Sequence, residues 1–165
     1  MTASSYTREK LAEEETAEEV KARLEREHNE LLQELRSLIP GAQVLFGFLL
    51  AVSFTSQFGQ LTDADRYVYY VTLASTAVAL VLYMAPASYH RLRFREGDKD
   101  YLLRKGNREA IAGTVASSVA LTGVLYLVTD FVFGSAEAIL VAATFFAFIA
   151  WRWWSHALYR NLRDR

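Results

Sequence analysis

Cysteine is absent from this 165-residue chain. That excludes disulfide scaffolds, thiolate metal sites and cysteine nucleophiles. Neither charge sign dominates, since the formal net charge is −1, so the chain carries no electrostatic footprint for nucleic acid. A glycine-rich phosphate loop, a Ser/His/Asp constellation and an HExxH pair are all missing. Enzymatic activity is therefore not expected, and no cofactor is implied. The length allows one domain at most.

Apolar sequence is what the chain has in abundance: 52% of residues are hydrophobic and 13% aromatic. The distribution is uneven. Residues 1–37 hold six Lys/Arg against ten Asp/Glu, whereas residues 38–165 hold twelve against nine. Four apolar stretches fill the second part, at about 41–58, 67–89, 110–129 and 138–154, and none has a charge in its middle third. A bilayer core of roughly 30 Å is crossed by about 20 such residues in a helix. The expected fold is an all-α integral membrane four-helix bundle of two helical hairpins. A Glu-rich cytoplasmic amphipathic helix over residues 1–37 precedes it. Residues 1–36 lack the apolar core of a signal peptide, so the first span is expected to be retained.

Loop cations set the orientation. The connection at 59–66 has only Arg66 and that at 130–137 has none, while 90–109 has seven. Both termini and the 90–109 loop are expected in the cytoplasm, where the loop's cations would attract anionic lipid headgroups. Tyr67, Tyr69 and Tyr70 then mark one interface with Phe131 and Phe133, and Trp151, Trp153, Trp154 and Tyr159 mark the other. The WRWW run reads as an anchor belt with Arg152 snorkelling, the alternative being a substrate-stacking site.

The joints carry local signals. Thr62-Asp-Ala-Asp65 resembles a capping box opening the second span, and Ser135 is the candidate N-cap of the fourth, with Glu137 in its first turn. Gly97 can stop the cytoplasmic extension of the second span, with helix resuming near Asp100. Pro86 is expected to kink the second span, and Pro40-Gly41 to end the arm and turn the chain into the first. In the arm, Leu24, Leu31 and Leu38 fall seven apart, with His28 and Leu35 on the adjacent seam. This pattern suits an amphipathic helix resting on its own cytoplasmic loops, or else a short oligomerising coil.

Polar residues inside a membrane are costly and therefore informative. Gln43, Gly47, Leu50, Phe54 and Gln57 share one predicted helical face. Around an oligomer axis that face would set two polar rings beside a hydrophobic constriction. Otherwise both glutamines simply meet interfacial water. The third span offers Thr114, Ser118 and Thr122 as hydroxyls along a pathway, while Gly113 and Ser117 form a small-xxx-small pair suited to close packing. The outward loops hold Asp63, Asp65, Asp130 and Glu137, which around an oligomer would make an acidic, cation-attracting vestibule. His90 and His156 both fall near the inner interface, too few for a metal site but open to a pH-sensing role.

From Glu34 to Leu50 the chain resembles an uncharacterised four-span family common in actinobacteria, the Pro40-to-Phe48 stretch carrying the most specific part. The likeness continues through Asp65–Tyr69, Ala85–Arg91 and Asn107–Thr122. It implies a multi-pass protein of the bacterial cytoplasmic membrane and points to Gln43, Gly47, Pro86 and His90. Some members bear a machine-assigned sodium:proton antiporter label, but this chain has no midplane carboxylate to alternate between proton and metal ion. The leading expectation is a homo-oligomeric, cation-preferring conductor with the first span near the axis. A non-transporting scaffold whose arm binds a cytoplasmic protein comes second. A proton-coupled carrier using Asp130 and His90 comes third.

Overall fold

The computed structural model describes the backbone of residues 3–92 and 99–163 and the side chains of 16, 18–20, 22–88, 101 and 103–153. Helix α1 spans Ala3–Ser53, and a 3-10 turn at Ser56–Gln60 leads into α2, Asp63–Leu92. Helices α3, Lys99–Phe133, and α4, Ser135–Arg163, complete the chain. Both tight connections therefore lie at one end of the molecule, called here the hairpin end. Four segments, Glu18–Ser53, Asp63–Ser88, Leu103–Phe133 and Ser135–Trp153, are long and apolar enough to cross a membrane.

The pairing of α2 with α3 is the most extensive contact. Small residues on α3 create it. Gly106, Gly113 and Ala120 fall seven apart, the interval that keeps one face against a gently supercoiled neighbour. A Cβ on Gly113 would meet the Tyr83 ring at 2.7 Å, and one on Gly106 would meet Leu31 at 3.1 Å and Pro86 at 3.4 Å. Thr72 presses against Gly123 in the same way. A hydrogen bond of 3.0 Å between Tyr83 Oη and Ser117 Oγ joins the two helices across this seam.

Helix α1 lies against both α2 and α3, while the backbone of α4 approaches α3 alone. Leu31, Leu35, Ala79 and Tyr83 form the buried cluster, with Ile39, Ala42, Leu103 and Ala110 packed on it. The arm thus packs on α2 and α3 by its own apolar stripe. That stripe is not the straight heptad seam, because Leu38 is 42% exposed and Ile39 takes its place. The contacting residues 31, 35, 39 and 42 follow the i, i+4, i+8, i+11 stripe of an α-helix, and Leu38 falls at its edge.

Several joints differ from expectation. Pro40-Gly41 does not end the arm: α1 runs through Pro40 without a break. The proline forfeits one bond, to the carbonyl of Arg36, and both residues are exposed, so solvent or headgroups can satisfy that oxygen. Pro86 also sits within its helix, buried against Gly106. The first span stops earlier than 58. Ser53 and Thr55 turn their hydroxyls onto the Leu50 and Val52 carbonyls at 2.7 and 2.8 Å, in competition with the helix. Backbone bonds from Phe54 to Ala51 and from Thr55 to Val52 then tighten the chain into the 3-10 turn.

At the other joint α4 already begins at Ser135, so the cap is Gly134. Its φ of +102° suits glycine, its N–H donates to the Asp130 carbonyl at 2.9 Å, and its own carbonyl accepts from Ala138 at 3.1 Å. One residue thereby closes α3 and opens α4. Gly97, proposed to stop α2, lies outside the described residues.

Candidate functional site

At the hairpin end α1, the 3-10 turn, α2 and α3 leave a cleft of about 670 Å³ between them. Each wall follows from local sequence. Leaving the helix at Ser53 carries Gln57, Phe58, Gln60 and Leu61 across from α1 to α2. Phe58 sets its ring edge-on to Tyr69, with centroids 4.9 Å apart and planes at 71°. The Tyr69 hydroxyl donates to the Leu49 carbonyl of α1. This polar clasp ties α1 to α2, so the cleft is held open by fixed walls. On the α3 side Val124, Leu127, Val128 and Phe131 complete an apolar lining.

Two carboxylates interrupt it. Asp65, 6% exposed, belongs to the cap of α2: its N–H donates to Thr62 Oγ1 at 3.2 Å, and its Oδ2 accepts from that hydroxyl at 2.5 Å. The hydroxyl half of the Thr62–Asp65 capping pattern therefore forms, while the Asp65 carboxylate accepts from the Thr62 hydroxyl in place of its backbone N–H. Asp130 stands in the last turn of α3, and its Oδ1 is buried with no hydrogen-bond partner. Both lie within Coulombic reach of the Tyr126 hydroxyl. Among the described residues no Lys or Arg lines the cleft. The nearby Arg66 is committed elsewhere, donating to the Gly59 carbonyl at 3.2 Å and pairing with Asp63 at 3.6 Å.

Of the four loop acids, then, the fold brings together Asp65 and Asp130. Asp63 is exposed beside Arg66, and Glu137 is exposed in the first turn of α4. The predicted α1 face also divides. Gln43, Gly47 and Phe54 point away from the bundle, Phe54 being 88% exposed and Gly47 having no atom within 4 Å of a Cβ. Gln57 is on the 3-10 turn rather than the helix, and it lines the cleft. The hydroxyls of Thr114, Ser118 and Thr122 each donate to the carbonyl four residues earlier, at 2.8–2.9 Å. Each hydroxyl proton is thereby used within α3. Gly113 and Ser117 serve helix packing.

Tyr69 is the residue that sequence reasoning misplaced. Tyr67 and Tyr70 are 71% and 67% exposed, as an aromatic belt requires, but Tyr69 is 4% exposed and makes the clasp. The helical angle held the signal, because Tyr69 shares a face with the buried Thr72 and Thr76, three and seven residues on. The side chains of His90, His156, Trp154 and Tyr159 lie outside those described. Among the described residues no group of three His, Asp or Glu side chains could hold a metal ion.

Helix number, helix length and apolar faces make this a four-span helical membrane protein. The chain belongs to a family of unknown function (DUF6328), which it matches over residues 15–157. No curated protein and no solved structure matches it.

Proposed function

We propose that this protein binds a membrane amphiphile, taking its hydrocarbon chain into the hairpin-end cleft. The observation that carries this is the cleft itself, about 670 Å³ walled chiefly by Leu, Val, Phe and Tyr side chains. Small-molecule sites run to roughly 300–1,000 Å³ and combine apolar walls with a few placed polar groups. Gln57, Asp65 and Asp130 supply those groups. In this role the protein makes and breaks no bond. Lipid that co-purifies in a mild detergent and resists washing, identified by mass spectrometry, is the expected result. Val124→Trp, which fills the cleft from α3, should strip that lipid from a folded protein. Equal lipid content in the variant would sink the reading.

A second reading is a homo-oligomeric cation conductor with α1 at its axis. It draws support from Gln43 and Gly47, which face outward where a neighbouring copy could meet them. Cation flux in proteoliposomes that disappears in Gln43→Leu would favour it, and absence of flux from folded protein would end it.

A further inference from the structure

We propose that the amphiphile is cation-headed, a membrane lipid or lipid-like amine whose ammonium group pairs with Asp130 while its chain occupies the apolar cleft. This rests on the amphiphile-binding reading above and names the ligand class that the site would take.

Charge complementarity is the argument. Among the described residues, Asp65 and Asp130 are the only charged ones lining the cleft, and both are acidic. Arg66, the cation nearest in sequence, is turned onto Asp63 and the Gly59 carbonyl. The two acids differ in what they still need. Asp65 is satisfied by the cap of α2, whereas Oδ1 of Asp130 is buried without a hydrogen-bond partner. Asp130 also stands in the last turn of α3, which contains no basic residue.

A helix C-terminus carries partial negative charge, so an anion there is disfavoured unless a cation answers it. Partial burial beside Val128 and Phe131 weakens solvent screening and sharpens that demand. An anionic lipid would meet repulsion from both carboxylates. A neutral one could donate at most a hydrogen bond to Asp130 and would leave its charge uncompensated. A cationic head alone would gain the charge pair but leave the apolar walls uncovered.

The test uses full-length protein in detergent-free nanodiscs and three probes: dodecylammonium, an uncharged dodecyl ether of equal chain length, and methylammonium. Calorimetric titration should show the ammonium amphiphile binding at least tenfold more tightly than the ether. Methylammonium should bind at least a hundredfold more weakly than the amphiphile. Asp130→Asn, which preserves side-chain shape, should erase the preference for the ammonium head while ether binding persists. That persistence shows the variant to be folded, and Val124→Trp should abolish binding of both long-chain probes.

Equal affinity for ammonium and ether in the unaltered protein would overturn the headgroup assignment and leave the chain-binding reading standing. No binding of either long-chain probe would overturn both. Methylammonium binding as tightly as its long-chain relative would overturn the amphiphile in favour of a bare cation site.

Discussion

Gly113 and Gly47 lie on different helices and obey opposite rules. Gly113 is buried where α3 meets α2, and a methyl there would reach 2.7 Å from a Tyr83 ring already anchored by its hydroxyl on Ser117. Gly47 faces outward with open space around it. Gly113→Ala should destabilise by about 1–3 kcal/mol through overpacking. Gly47→Ala should stabilise by roughly 0.5–1 kcal/mol, because alanine is the better helix former. Reversible unfolding in mixed micelles measures both, and loss of stability in Gly47→Ala would mean that its outward face is occupied. The sequence marked Gly113 as a packing residue through its spacing from Ser117. Nothing in local spacing distinguished it from Gly47, since only a partner helix does that.

At the scale of elements the informative case is Pro40. A proline followed by glycine reads as a terminator, yet α1 continues from Ala3 to Ser53, about 75 Å at roughly 1.5 Å per residue. Flanking contacts decide the outcome. Leu31 and Leu35 before the proline, with Ile39 and Ala42 beside it, all pack on α2 and α3, so leaving the helical path would uncover them. Burying a leucine contributes about 1.5–3 kcal/mol, which several such residues together raise above the cost of a proline inside a helix, roughly 3 kcal/mol. Pro40→Ala should therefore leave the arm docked and raise stability by about 1–3 kcal/mol. Limited proteolysis of the arm together with the unfolding midpoint checks this. Faster cleavage in Pro40→Ala would show that the docked arm depends on the proline.

For the molecule as a whole, all four helices are longer than the roughly 30 Å apolar layer of a bilayer. Helix α3, at 35 residues, is about 52 Å long against a hydrocarbon core of roughly 30 Å. Its first turns project at the end opposite the hairpin turns and give the arm a surface to rest on. The absence of cysteine makes the disposition across a bilayer directly measurable. In right-side-out vesicles Gly59→Cys should react with a membrane-impermeant maleimide, because the cation-poor hairpin end is expected outside. Thr16→Cys should react only after the vesicles are opened. The reverse pattern would invert the topology and place the cleft on the cytoplasmic side.

Composition and periodicity by themselves determined the four apolar helices, their approximate limits and the hydroxyl cap at Thr62–Asp65. Each depends on neighbours within a few residues or on the thickness of a bilayer. The acids at 65 and 130 were legible as residues worth attention, but as a ring of loop charges rather than a pair in one cleft. That Asp65 and Asp130 line one cleft came only from the tertiary structure, since joining residues 65 apart in sequence requires the α2–α3 seam to set their register. It also decided that Tyr69 turns inward, that Gln57 leaves the α1 face and that the third-span hydroxyls are spent on their own helix. Those outcomes hang on which neighbour lies across each face, and a one-dimensional pattern does not contain that information.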